Sequence, residues 1–373
     1  MKLILAVDAL IPPLTGIGRY AWELASHYQT LRDDLDSMRF FFAGRWIGDP
    51  AEMLQSQRAE AVASKRGATH VRMPERWHRW RMQREMCGHI FHSPNYFLPE
   101  SVNGGIVTVH DLSVFKYPET HPIARIKHFE NGFASTLKRA SHLITDSEAT
   151  RREVIDYFGW SAERITAISL GARPEFHPRD VREVAIALSE YGLVYGEYSL
   201  CVSTLEPRKR IDRLLAAYLD LPSSLRMRYP LVLAGSAGWL SDSLREQIER
   251  GERDGWLRYL GFVEEAFLPL LYSGARAFLF PSVYEGFGLP VLEAMASGVP
   301  VLTSNSSSLP EVASGAAWLA EPDDHDLLRE GIERVLCDAL WRQAAITRGV
   351  QVASTLTWER CAKRTLEVCR RFA

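Results

Sequence analysis

Apolar and polar positions run along this chain in two alternating rhythms. Short, nearly unbroken apolar runs mark strands buried on both faces: "KLILAV" (2–7), "RFFFAG" (39–44), "HIFHS" (89–93), "GIVTVH" (105–110), "HLITD" (142–146) and "RITAIS" (164–169). Between them lie helix-length amphipathic segments at 18–31, near 76–86, at 125–140 and at 147–159. The stretch "LGARPEFHPRD" (170–180), rich in proline, glycine and charge, closes this first series. A second series follows, with "YSLCVS" (198–203), "IDRLLAAYLDL" (211–221), "PLVLAG" (230–235), "SDSLREQIERGERDG" (241–255), "LRYLGFV" (257–263), "AFLFPS" (277–282), a helix from Pro290 and "VPVLTS" (299–304). The last element is a helical tail, "WERCAKRTLEVCRRF" (358–372). Strands alternating with helices predict parallel sheets with helices on both faces. The expectation is an α/β protein of two Rossmann-like domains, 1–175 and 176–355, with a closing helix at 356–373 that crosses back to the first domain. In such folds ligands sit at the carboxyl ends of the strands, here expected to face each other across a cleft.

Composition and charge sharpen this picture further. A net charge of −2 removes any bulk electrostatic argument for a nucleic-acid partner. Five scattered cysteines without CxxC spacing read as reduced thiols of a cytoplasmic protein rather than a disulfide or zinc framework. The apolar run of "MKLILAVDAL" is interrupted by Asp8 and leads to no cleavage pattern, so no signal peptide is expected. No window approaches the roughly 18 apolar residues of a membrane span, so membrane association is expected to be peripheral.

The stretch richest in chemistry is "VYEGFGLPVLEAMASG" (283–298). It follows an apolar strand, turns through Gly286 and Gly288, and enters a helix at Pro290 that Gly298 and Pro300 end. Glu285 falls in the loop and Glu293 in the expected first helical turn. The glycines admit a close ligand, the helix start favours an anion, and the glutamates accept from hydroxyls. A sugar nucleotide supplies diphosphate and polyol together. The plain alternative is a structural strand–turn–helix.

Over residues 281–312, "PSVYEGFGLPVLEAMASGVPVLTSNSSSLPEV" resembles the signature of retaining glycosyltransferases of family 4, which have the GT-B fold. The resemblance is strongest over 199–325. It implies that Glu285 contacts the donor sugar, that Gly286, Phe287, Gly288 and Leu289 contact sugar and phosphate, and that Glu293 bonds the ribose. "STLEPRKRIDRLLAAY" (203–218) resembles the family segment that embraces the donor diphosphate, with Lys209 at the family lysine. Thr204 stands where many members carry arginine, and Arg208 is offered nearby instead. Gly235, which ends "PLVLAG", and Ser236 after it join the substrate-binding set. "GIGRYAWEL" (16–24) resembles the amino-terminal glycine loop and places Gly16 and Gly18 near the donor phosphates; as a dinucleotide fingerprint it fails on spacing from its strand. "TVHDLS" (108–113) brings His110 to the position of a family histidine beside the donor sugar, against a satisfied structural histidine, and Asp111 reads equally as a turn cap.

No HExxH or paired-ligand spacing suggests a metal, and Asp33-Asp34 and Asp323-Asp324 read as charged turns rather than a D-x-D site. Residues 65–86 interleave seven Lys/Arg with tryptophan and methionine, which suits an anionic membrane surface or, equally, a solvated helix packed on its domain. The resemblance as a whole implies a metal-independent retaining transferase with no cofactor beyond its nucleotide-diphosphate sugar. The leading donors are GDP-mannose and GDP-rhamnose, and the partner is a growing lipid-linked surface polysaccharide at the inner face of the membrane. The alternatives are a GT-B transferase for another sugar and a small acceptor, and a catalytically silent sugar-nucleotide-binding subunit.

Overall fold

The structure, a computed structural model, describes all residues except 13, 15, 32–34, 56–74 and 239–240, and only the backbone of 75–79. The chain forms two compact units, one of Met1–Leu170 with Trp358–Ala373 and one of Gly171–Thr357.

The first unit contains β1 (Lys2–Ala6), α1 (Gly16–Thr30), β2 (Ser37–Phe42), β3 (Arg45–Ile47), α2 (Glu75–Met86), β4 (Ile90–Ser93), β5 (Ile106–Val109), α3 (Ile123–Arg139), β6 (His142–Thr145), α4 (Glu148–Phe158) and β7 (Ile165–Ala167). Its sheet runs β3-β2-β1-β4-β5-β6-β7, parallel except for the β2/β3 pair. All six strands expected from the apolar runs are present. β3 is additional, reached through a turn in which Ala43 and Gly44 both take positive φ. The closing helix, Trp358–Arg370, packs in this unit, where the rings of Tyr20 and Trp358 lie 6.2 Å apart.

The second unit contains α5 (Val181–Glu190), β8 (Ser199–Val202), α6 (Ile211–Leu219), β9 (Leu231–Ala234), α7 (Asp242–Arg253), β10 (Leu257–Gly261), β11 (Ala277–Phe280), α8 (Leu289–Ala296), β12 (Val301–Ser304), β13 (Trp318–Ala320), α9 (His325–Cys337) and α10 (Ala339–Thr355), with the closing helix of the first unit following as α11. The sheet runs β10-β9-β8-β11-β12-β13, with every pairing parallel. Its central strands are fully buried, as their unbroken apolar runs require. Strand order reverses direction between β1 and β4 in the first sheet and between β8 and β11 in the second. A doubly wound sheet opens a crevice at that switch point, outside the carboxyl ends of the two strands. Topology thus nominates one site in each unit before any side chain is considered.

Two buried histidines make the first unit sensitive to acid. His92 bonds the Thr108 hydroxyl at 2.9 Å, and burial with His110 nearby pushes it down to about 3. His142 bonds Thr166 at 2.8 Å, and burial holds it down to about 4. The unfolded chain takes up these protons near pH ~6.5 whereas the folded one does not, so stability falls as pH drops from about 6.5 toward those values. Each histidine held neutral costs about 1.4 kcal/mol per pH unit within that window. Urea midpoints measured between pH 7.5 and 4.5 should therefore decline less steeply in His92→Gln than in wild type. Parallel slopes would show that His92 is not held neutral.

Candidate active site

In the second unit the switch point brings together the loop after β8 and the loop after β11. Residues Pro207–Lys209 form a single 3-10 turn that aims Arg208 and Lys209 at the β11 loop. Lys209 Nζ bonds Glu285 Oε1, and Arg208 Nη1 reaches Glu285 Oε2 at 3.4 Å and the Tyr284 carbonyl at 2.8 Å. Arg208 Nε also bonds Glu206 Oε2 at 3.0 Å. Lys209 lies 5.1 Å over the Phe280 ring. Burial works against the charged form of both Lys209 and Glu285. At Glu285, Lys209 and Arg208 outweigh it and hold the carboxyl below its usual range. At Lys209 burial prevails and draws the ammonium below its ordinary value. The four groups Glu206, Arg208, Lys209 and Glu285 form a cluster of two acidic and two basic side chains, formally balanced in charge.

Backbone bonds fix this geometry. The Arg208 carbonyl accepts from the Val283 amide at 2.9 Å and the Ser282 hydroxyl at 3.2 Å, tying the two loops together. Ser307 accepts from the Glu285 amide at 2.9 Å, while the Ser308 hydroxyl donates to the carbonyls of Glu285 and Phe287 at 2.9 and 2.7 Å. These serines brace the glycine loop, and the run "SSS" at 306–308 is the signal that marks them. Gly288 is the N-cap of α8 at φ 111°, without a side chain to cap the helix. Pro290 has no N–H, and the amides of Val291 and Leu292 donate to the Gly288 carbonyl at 3.0 and 3.2 Å, so of the first-turn amides the one left for an anion is that of Leu289. Leu289 is the first helical residue and Phe287 is buried beneath the loop.

Glu293 departs from its expected place. Because the helix begins at Leu289, Glu293 lies past the first turn instead of within it. It stands beside the buried Tyr272, whose hydroxyl is pushed upward first by burial and then by that carboxylate. Thr204 and Ser236 belong to adjoining loops at the same sheet edge, where the Ser236 carbonyl accepts from the Leu205 amide at 3.0 Å.

Gly235 holds these loops in register. Its φ is 141°, and a Cβ there would lie 2.0 Å from the Ser203 carbonyl oxygen. Gly235→Ala must therefore displace the segment that carries Arg208 and Lys209. A loss of about 2–4 kcal/mol is expected from backbone strain plus overpacking. A melting scan should show a drop of roughly 5–15 °C. A shift below about 2 °C would refute this role for Gly235.

In the first unit Gly16 opens α1, and a Cβ there would meet nothing within 4 Å. Gly18 differs, since a Cβ would lie 2.8 Å from the Ala9 carbonyl oxygen, so packing alone accounts for it. His110 follows β5 and is buried. Its Nδ1 lies 2.7 Å from Asp146 Oδ2 and its Nε2 lies 2.8 Å from the Pro94 carbonyl oxygen. A carbonyl only accepts, so Nε2 carries a hydrogen. Burial pulls His110 down and Asp146 more than offsets this, raising it above the ordinary histidine value. Asp146 was not singled out in the sequence, because its partnership depends on β5 and β6 lying side by side. Asp111 Oδ1 accepts from the Ser113 amide at 2.8 Å, in a turn.

Among the described residues no group of three or more His, Cys, Asp or Glu side chains is arranged to hold a metal ion. Asp33-Asp34 lies outside the described residues, while Asp323 pairs with Arg210 and Asp324 caps α9. Of the basic stretch 65–86, residues 65–74 also lie outside them. Trp80 is exposed with the Arg84 guanidinium 5.6 Å from its ring, whereas Met82 and Met86 are buried. No helix among the described residues is long and apolar enough to cross a membrane.

Two doubly wound parallel units, one with paired cations and a glutamate at its switch point, define the GT-B class. Comparison with known proteins agrees. The family described as glycosyl transferases group 1 matches residues 195–351. O-antigen chain mannosyltransferase B of Escherichia coli is 38% identical over 98% of this chain and 98% of its own length. Among solved structures, WaaG, a glycosyltransferase involved in lipopolysaccharide biosynthesis, superposes with a TM-score of 0.71 at 17% identity, covering 98% of this chain and 99% of WaaG. Anabaena Alr3699/HepE in complex with UDP-glucose superposes with a TM-score of 0.73 at 17% identity over the whole of both chains. The chain belongs to the group 1 glycosyltransferase family and is a glycosyltransferase enzyme.

Proposed function

We propose that this enzyme is a retaining, metal-independent mannosyltransferase that extends an O-antigen chain from GDP-mannose, with GDP-rhamnose the next donor to test. The observation that carries this reading is the largely buried cluster of Arg208, Lys209 and Glu285 at the second switch point. The diphosphate lies on the two cations and the start of α8, where charge-assisted bonds stabilise the leaving group. Glu285 orients the sugar hydroxyls. A double displacement needs a carboxylate tight against the anomeric carbon, whereas Glu285 engages the sugar's hydroxyls, so attack comes from the face the leaving group departs. The departing phosphate oxygen takes the acceptor's proton. Gly235, Ser236, Thr204 and Glu293 complete the donor contacts of the second unit. His110, with both ring nitrogens committed, positions the Pro94 segment and presents no free nitrogen to substrate.

The acceptor preference draws on the relative named as an O-antigen chain mannosyltransferase. Peripheral contact with the cytoplasmic face of the membrane through 65–86 is part of the same reading, supported by the exposed Trp80. A panel of nucleotide sugars, read by thermal shift and then by transfer, tests it. GDP-mannose should give the largest shift and an α-linked product without added divalent metal. An inverted linkage, or activity abolished by a chelator, would overturn the mechanism. Binding without transfer or hydrolysis of any donor would favour a silent binding subunit.

A further inference from the structure

His110 and Asp146 form a buried pair whose charge has no part in the donor contacts described above. Asp146 follows β6, and its Oδ2 accepts from His110 Nδ1 at 2.7 Å. Its Oδ1 is buried without a hydrogen-bond partner among the described residues. The charge of the carboxylate is therefore directed at His110, while Asp111 adds a like charge nearby. Tyr20 of α1 and Tyr96 of the loop after β4 enclose the imidazole, their ring centroids 5.0 and 5.7 Å away and their planes nearly perpendicular to it. On β5 the Thr108 hydroxyl lies 3.0 Å from the Tyr20 hydroxyl and 2.9 Å from His92 Nε2. Cys361 of α11 stands on the far side of Asp146. Burial keeps His92, both tyrosines and Cys361 uncharged, so the charged groups facing His110 are Asp146 and Asp111.

What the imidazole holds in turn is a loop. Its Nε2–H donates to the Pro94 carbonyl at 2.8 Å, and Pro94 and Asn95 follow β4 directly, at the switch point beside β1. A charged donor bonds a carbonyl roughly twice as strongly as a neutral one. The order in which the ring would lose protons is also fixed by its partners. Nδ1 keeps its hydrogen because a carboxylate faces it, so Nε2 is the nitrogen that is bared. Two acceptors would then oppose each other across the present hydrogen bond, and the Pro94 carbonyl would lose its hold.

We infer that Asp146 is a positioning residue: it keeps His110 an imidazolium whose Nε2–H clamps the Pro94 carbonyl, and alkaline loss of that proton releases the Pro94–Asn95 segment. Burial pulls His110 down and Asp146 more than offsets it, so the clamp is complete below pH ~6.5 and lost as pH rises through the raised value. The inference rests on the proposed function for the choice of donor alone. With that donor and the full chain, wild-type kcat/KM for the acceptor should fall as pH rises above about 6.5. In Asp146→Asn the amide can donate to Nδ1 and leave Nε2–H on a neutral ring. That variant should begin about three- to tenfold below wild type and stay level, so that the two profiles converge or cross. His110→Gln, which has no titrating group, should be level as well. Side-chain nitrogen NMR, with the His110 signals identified by their absence from His110→Gln, should show both ring nitrogens protonated in wild type near neutral pH and Nε2 deprotonating first. The inference fails if wild-type His110 is neutral there, if Nδ1 loses its proton first, or if Asp146→Asn declines in parallel with wild type. If no donor is transferred, the proposed function fails instead, and the NMR titration of wild type still decides the charge on His110.

Discussion

Lys209→Gln is expected to lower kcat on the order of 10²–10³-fold, the scale found when one preorganised donor to a developing anion is removed. Lys209 is buried and bonded to the partly buried Glu285, so the substitution also leaves that carboxylate with Arg208 as its remaining cation at 3.4 Å. Breaking a fully buried pair from one side costs about 3–5 kcal/mol, and partial exposure with Arg208 still in place makes the loss here smaller. The two effects are separable. The double variant Lys209→Gln/Glu285→Gln removes both charges and should recover much of the lost melting temperature without recovering turnover. A single variant within fivefold of wild-type kcat would place the diphosphate elsewhere.

Glu285→Gln should cost roughly 10- to 150-fold in kcat/KM, the value of one charge-assisted hydrogen bond to a sugar hydroxyl. Its effect on GDP alone should have the opposite sign to that of Lys209→Gln. Removing the carboxylate frees Lys209 and Arg208 from an internal competitor, so GDP should bind more tightly, whereas loss of Lys209 should weaken it. Calorimetric titration of GDP into the two variants decides the matter. Shifts in the same direction would mean that Glu285 does not compete with the diphosphate.

The parts of this molecule legible in its sequence are those set by local pattern. Buried parallel strands such as "AFLFPS" announce themselves because both faces are covered, leaving no polar alternation to dilute the run. β3 was not legible, being three residues long and paired across a tight turn. α9 and α10 were missed for a different reason. Gly331 sits inside one and Gly349 inside the other, and an isolated glycine reads as a break. Tertiary packing demands the first, since a Cβ on Gly331 would lie 2.6 Å from Leu302 and Trp318, and the second sits close against α8, where a Cβ on Gly349 would lie 3.3 Å from Met295.

The candidate site divides in the same way. Glu285 and Lys209 are visible as members of motifs, but their bond is not, because it spans 76 residues and exists only where β8 lies beside β11. His110 likewise shows its position at a strand end without showing that Asp146 and Pro94 have claimed both nitrogens. Motifs report which residues gather, and strand order reports what each of them is already holding.

The charge balance of the Glu206–Arg208–Lys209–Glu285 cluster bears on how a catalytic cycle would end. On the proposed reading, the intact donor gives Glu285 hydroxyl groups to hold while its diphosphate draws Lys209 away. Once the sugar has moved to the acceptor, those hydroxyls depart with it. Glu285 is then a partly buried carboxylate without its former partners, and it contests the spent nucleotide for the same two cations. The residue that orients the sugar at the start thereby hastens departure of the nucleotide, a built-in spring against product inhibition.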